Sequence, residues 1–235
     1  MISLYSGTPG SGKSLHIARR IYYTLRDKRP VIANFEVNRK LIRKKRPEKL
    51  KFTYMPNDEL TPEKLIEFSA EYFRKRVIRE DTILLVIDEA QIIFNSRAWQ
   101  QTGRSQWLSF FSQHRKYGYE IVLIAQFDGM IDKQIRTLIE YNYIHRKMSN
   151  FGLVGKIMSL FWLGKAFCAV KVWYPLNERL SSEIFSARKK FYRIYDTWAD
   201  FGTKKALTDS QGLKSSKSDS IIDSAVSIES GQGLI

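Results

Sequence analysis

Cysteine is nearly absent: Cys168 is the only one in 235 residues. A single thiol makes no disulfide framework and no cysteine metal site, which points to a reducing, cytoplasmic environment. Histidine is almost as scarce. His16, His114 and His145 are scattered, without the spacing of a zinc ligand set. Long uncharged apolar runs are missing too. The longest apolar region, Phe151–Trp173, is interrupted by Lys156, Lys165 and Lys171, whereas a membrane-spanning helix needs about 20 predominantly apolar residues. No transmembrane segment is expected, and no signal peptide, because a functional motif begins within the first ten residues. Acidic residues are the last shortage. Against 39 Lys and Arg stand 24 Asp and Glu, a net charge of +15. The final 35 residues hold four Lys and four acidic residues, so the excess belongs to residues 1–200. A basic domain of this kind points to a polyanionic partner, nucleic acid or an anionic lipid surface.

What is present is enough for a folded α/β domain: 43% hydrophobic and 13% aromatic residues. Ile2–Ser6 reads as a strand, and Lys13–Arg26 as a helix with Leu15, Ala18, Ile21, Tyr22 and Leu25 on one face. Val31–Phe35 and Phe52–Met55 read as strands, and Pro62–Arg76 as a helix entered through Thr61. Ile83–Ile87 is a run of five aliphatic residues, the mark of a strand buried on both faces of a parallel sheet. Ser105–Lys116 reads as a helix, Glu120–Ala125 as a strand, Ile131–Glu140 as a helix, and Tyr141–Lys147 and Phe167–Tyr174 as strands. Alternating strands and helices predict a mostly parallel, doubly wound sheet over residues 1–200. Residues 201–235 are rich in Ser, Gly, Asp and Lys and read as a polar, disordered tail.

The sharpest motif follows the first strand. Gly7-Thr8-Pro9-Gly10-Ser11-Gly12-Lys13-Ser14 fits the phosphate-binding loop pattern and lies between a strand and an amphipathic helix. Glycines let backbone N–H groups turn inward around phosphate oxygens, and the helix N-terminus adds partial positive charge. Gly7 through Leu15 form the expected nucleotide-binding set for ATP, with Lys13 reaching the β- and γ-phosphates and Ser14 ligating Mg²⁺.

A second motif completes the chemistry. Asp88-Glu89 ends the aliphatic strand, where Asp88 would hold Mg²⁺ through water and Glu89 would polarise the attacking water. The same pair would also serve as a helix N-cap with favourable first-turn charge. Gln126 ends the next strand, the place for a polar sensor of the γ-phosphate in additional-strand ATPases, or simply a satisfied polar strand end. Arg115, in His114-Arg115-Lys116, is expected to emerge at the rim near the nucleotide edge as an arginine finger acting across a subunit interface. Ordinary surface charge or a phosphate contact is the other reading of Arg115, and Arg97, Arg104 and Arg136 are weaker rivals.

Several stretches together resemble one family. They are Gly7–Ser14, Val86-Ile87-Asp88-Glu89-Ala90-Gln91, Ser112-Gln113-His114-Arg115-Lys116-Tyr117-Gly118-Tyr119-Glu120-Ile121 with Val122–Gln126, and Ile194-Tyr195-Asp196-Thr197. They look like the N-terminal ATPase domain of the zonula occludens toxin family, which includes the filamentous-phage morphogenesis ATPases. The resemblance spans about residues 1–200. It implies an inner-membrane assembly protein that uses ATP to extrude phage DNA as coat subunits are added. By the same resemblance Lys13 and Ser14 serve nucleotide and Mg²⁺, and Asp88 and Glu89 form the second acidic motif.

Typical members continue into a transmembrane helix and an external segment, whereas this sequence continues into a polar tail. The expected setting is therefore the host cytoplasm, peripheral to the inner membrane or joined to a separate membrane subunit. The expected partners are further copies of the chain, phage coat protein and single-stranded DNA. Eight Lys and Arg against one Glu in Asn38–Lys51 would track a DNA backbone or lie on anionic lipid. A motor for DNA packaging or conjugative transfer is the alternative, with a nucleotide-gated scaffold and a small-molecule kinase behind it.

Overall fold

The computed structural model describes residues 1–95, 103–150 and 166–195. Eight strands form one sheet: β1 (Ile2–Ser6), β2 (Val31–Ala33), β3 (Phe52–Tyr54), β4 (Ile83–Ile87), β5 (Tyr119–Ile124), β6 (Tyr141–Lys147), β7 (Ala166–Trp173) and β8 (Glu178–Ser186). Their spatial order is β3-β2-β4-β5-β1-β6-β7-β8. The first six run parallel, and β7 and β8 extend the sheet antiparallel. Strand β5 is inserted between β1, which leads into the phosphate loop, and β4, which leads into Asp88. That insertion is the additional-strand arrangement expected from the sequence.

Period-two alternation explains how the sheet buries both faces. Ile83, Leu85 and Ile87 of β4 join Ile121 and Leu123 of β5 in one core, beneath α3 (Pro62–Phe73) and α4 (Arg104–Gln113). Leu84, Val86, Val122 and Ile124 face the other way, into a core completed by Leu15, Ile17 and Ile21 of α1 (Lys13–Arg26). Each fully buried side chain of this size contributes about 1.5–3 kcal/mol. The two cores clamp β1 and β4 firmly, and the loops at their C-terminal ends inherit that rigidity.

Shorter helices α2 (Arg39–Ile42) and α5 (Lys133–Arg136) lie in crossovers, and α6 (Lys189–Tyr192) follows β8. The helix expected over Ile131–Glu140 is only α5. Ile131 is extended and bridges Asn95, and the Asp132 carboxylate accepts the Gln134 N–H to start the helix late. Helix α3 stops at Phe73 and α4 at Gln113, each a few residues short of expectation. Strand β8 was not foreseen. It pairs with β7 alone and is mostly exposed, so its sequence lacks the apolar alternation of an inner strand. The boundary at residue 200 and the tail 201–235 lie outside the described residues. Among the described residues no helix is long and apolar enough to cross a membrane.

Candidate functional site

The phosphate loop leaves β1 between the ends of β5 and β6, where parallel α/β sheets place their ligands. The Gly7 N–H donates to Gln126 O at 3.1 Å, which ties the loop's first residue to the end of β5. Gly7, Gly10 and Gly12 all have positive φ, at 141°, 73° and 99°. At two of them a side chain has no room. A Cβ on Gly7 would lie 2.5 Å from His145 O, and one on Gly12 would lie 2.7 Å from the Phe167 ring. Gly12 also caps α1 in the left-handed conformation without a side-chain cap, and no acidic residue stands in the first turn. The helix therefore presents its N-terminal N–H groups and dipole unopposed.

Two further observations fit the loop to an anionic ligand. The Ser11 hydroxyl is buried and has no hydrogen-bond partner among the described residues. Lys13 Nζ folds back over the loop, donating to Gly7 O at 2.5 Å and Thr8 O at 3.2 Å. Burial lowers the Lys13 pKa, while the charges of Glu89 and Asp88 oppose that shift. Lys13 thus shares one electrostatic neighbourhood with the acidic motif. Thr8, Pro9 and Gly10 are exposed at the loop tip, and Ser14 is half-buried at the start of α1.

Asp88 is held from all sides. Its Oδ1 accepts the Glu89 N–H at 2.9 Å, and its Oδ2 accepts the Tyr195 hydroxyl. Asn34, one residue beyond β2, grips its peptide groups: Nδ2 donates to Asp88 O at 2.9 Å and Oδ1 accepts the Asp88 N–H at 2.7 Å. Burial raises the Asp88 pKa, against the Tyr195 hydrogen bond, which lowers it. Glu89 sits in the left-handed region at φ 47°, an unfavourable conformation for a residue with a Cβ. Its Oε2 accepts from the Gln91 side chain. These contacts fix a strained turn directly after β4.

Gln126 is half-buried beside the loop, and a cleft of about 590 Å³ opens there between the loop and β6. Gln126, Phe127, Asn142, His145 and Arg146 contribute to its walls. That volume is typical of a small-molecule site. Asp88 and Glu89 stand on the other flank of the loop, on the β4 side.

Arg115 is elsewhere. It pairs with Glu140 Oε1 at 3.0 Å, at the edge where the parallel strands begin. The five residues of β1 separate that edge from the phosphate loop, about 16 Å at strand rise. The expectation that Arg115 emerges at the nucleotide rim is corrected by elementary topology. A crossover helix runs back against its strands, so its C-terminal end always lies where the next strand starts. Arg104, at the other end of α4, is paired with Asp132 Oδ2 at 3.2 Å, and Arg97 lies outside the described residues.

Nothing in the sequence alone gives Asn34 or Tyr195 a role: Tyr195 stands within the Ile194–Thr197 stretch, and Asn34 is a polar residue near the end of the Val31–Phe35 run.

The Zonular occludens toxin (Zot) family profile matches residues 1–196. The chain belongs to the Zot family. A curated relative, the Gene 1 protein of Escherichia phage If1, is 28% identical over 130 residues, covering 54% of this chain and 36% of that protein. The Zot-family chain therefore matches about a third of that relative's length. Among solved structures, the N-terminal domain of zonular occludens toxin from Neisseria meningitidis aligns with a TM-score of 0.52 and 19% identity. The alignment covers 83% of this chain and 98% of that one. The DNA-packaging ATPase of Sulfolobus Turreted Icosahedral Virus aligns with a TM-score of 0.50 and 14% identity, covering 80% and 97%. At those identities the likeness is one of fold, that of the P-loop ATPases.

Proposed function

We propose that this Zot-family chain is an ATPase that powers assembly and extrusion of filamentous phage. The observation that carries the reading is the shared edge of the sheet. There the Gly7–Ser14 loop, Asp88-Glu89 and Gln126 stand at the ends of β1, β4 and β5. The relative's name adds the phage context.

In this reading Gly7 through Leu15 bind the phosphates through backbone N–H groups. Lys13 moves from its own loop carbonyls to phosphate oxygens. Ser14 and Asp88 would hold Mg²⁺, which when bound neutralises charge on the β- and γ-phosphates. Their two oxygen groups fit an ion that takes its remaining ligands from phosphate and water. Glu89 accepts a proton from, and orients, the attacking water, while Gln126 hydrogen-bonds near the γ-phosphate.

The basic segment supplies a surface for a polyanion. Ile42 and Leu50 anchor it in the core. Arg39, Lys40, Arg43, Lys44, Lys45, Arg46, Lys49 and Lys51 are exposed, and none has an ion-pair partner among the described residues. Exported single-stranded DNA is the occupant favoured by the phage context. Coat protein, further copies of the chain and a contact at the inner membrane complete the proposed assembly.

The test is steady-state ATP turnover of wild type and Glu89→Gln, with and without circular single-stranded DNA. The expected result is DNA-stimulated turnover that Glu89→Gln lowers by about 10²–10⁴-fold with ATP binding retained. Binding without turnover under every condition would replace the motor with a nucleotide-gated scaffold.

A further inference from the structure

The Ile194–Thr197 stretch is a family feature that nucleotide binding and hydrolysis leave without a task. Tyr195 within it reaches the acidic motif from 107 residues away in sequence. Its backbone forms an antiparallel bridge with Val37, and the neighbouring Asn38 N–H donates to Ile194 O at 3.0 Å. Its ring stands perpendicular to that of Phe35, with centroids 4.4 Å apart. Bridge and ring contact hold Tyr195 without help from its hydroxyl. The hydroxyl is thereby free to act as a fixed donor, and it is spent on Asp88 Oδ2.

We propose that Tyr195 is the positioning residue of Asp88, setting the rotation of its carboxylate for Mg²⁺. The proposal rests on the nucleotide-binding part of the reading above. Asn34 fixes the backbone of Asp88 but does not touch its carboxylate. The terminal torsion of an aspartate is broad and soft, and Glu89 N–H restrains only Oδ1. A second donor on Oδ2 removes the remaining freedom before any ligand arrives, which is the benefit of a preorganised site. The chemistry of the donor matters as much as its place. A lysine or arginine there would orient the carboxylate but cancel its charge. A neutral phenol makes a strong hydrogen bond to the anion and leaves the negative charge for a cation.

The decisive variant is Tyr195→Phe, which keeps the ring against Phe35 and the bridge to Val37. Affinity for a fluorescent ATP analogue would be measured with and without Mg²⁺, giving the metal-dependent gain in binding. We expect Tyr195→Phe to leave metal-free affinity at the wild-type level and to cut that gain by about tenfold, the scale of one hydrogen bond to a charged group. In an Asp88→Asn background the same change should have no effect on the gain. An unchanged gain in Tyr195→Phe, or an equal loss of affinity with and without metal, would overturn the proposal in favour of a packing role. Failure of the ATPase reading looks different. The chain would then bind nucleotide without turnover, and the Mg²⁺ gain would still decide the role of Tyr195.

Discussion

Asn34 reads the peptide groups of Asp88 as a neighbouring strand would, donating to its carbonyl at 2.9 Å and accepting from its N–H at 2.7 Å. Strand β2 ends at Ala33, so the side chain of Asn34 continues the ladder after the backbone has turned away. The relationship places the Asp88 carboxylate on a rigid extension of the sheet.

Removing that clamp should be costly. Asn34→Ala leaves a buried N–H and a buried C=O without partners, each worth about 1–3 kcal/mol. Urea unfolding should show a loss of about 2–4 kcal/mol. Asn34→Asp keeps the acceptor for Asp88 N–H but sets a second carboxylate oxygen against Asp88 O, and should be at least as destabilising. A wild-type midpoint in both variants would show that the clamp is not needed.

Arg115→Ala should behave as a surface change. The ion pair with Glu140 is half-exposed, with side chains 52% and 30% accessible, and such pairs are worth about 0–1 kcal/mol. Turnover should stay within about twofold of wild type, since the pair lies at the far edge of the sheet from the phosphate loop. A loss of several orders of magnitude in turnover with intact ATP binding would instead restore the finger role across a subunit interface.

Stability should depend on pH through two buried histidines. His145 Nδ1 lies 3.1 Å from Ser6 O, which can only accept, so Nδ1 carries the proton and Nε2 accepts from His16 Nδ1 at 2.8 Å. Burial holds both rings far below the ordinary imidazole range, so they are neutral in the fold. The unfolded chain binds protons as pH falls below about 6.5 and the folded chain does not. Stability is therefore full above that pH and declines below it, by up to about 1.4 kcal/mol per pH unit for each ring. Urea unfolding at pH 8, 6.5 and 5 reads this directly. A flat profile between pH 6.5 and 5 would contradict the neutral pair.

Gly12→Ala should fail twice over. Its φ of 99° disfavours any Cβ, and the added atom would press on the Phe167 ring at 2.7 Å. Backbone strain alone costs about 1–2 kcal/mol. Pairing it with Phe167→Leu should recover part of the stability but not the strain. Thermal unfolding of the single and double variants separates the two contributions.

The sequence disclosed the parts of this protein whose physics is local. Ile83–Ile87 reads as an inner strand because five aliphatic residues suit no other place, and the glycines of the phosphate loop announce a backbone that side chains cannot follow. Order within the sheet was less accessible, yet an additional strand could be inferred from Gln126 following Glu120–Ala125. Strand β8 escaped because an edge strand need not be apolar. Helix α5 was overdrawn because Ile131 is an apolar residue that serves a bridge. Arg115 lies at the far edge because α4 runs back against its strands, a direction that the sequence motif does not carry. The partners of Asp88 were out of reach for a different reason. Asn34 and Tyr195 are 54 and 107 residues from it along the chain, and spacing alone carries no record of such contacts.

The ring of Phe167 against Gly12 has a consequence for anyone recombining this protein with its relatives. Phe167 belongs to β7, the first strand added antiparallel to the parallel set, yet it forms the floor under the phosphate loop. The antiparallel pair is therefore not an ornament that can be exchanged or trimmed. A chimera that keeps residues 1–147 and borrows its hairpin elsewhere changes the side chain that packs on Gly12, and with it the surroundings of its most recognisable motif.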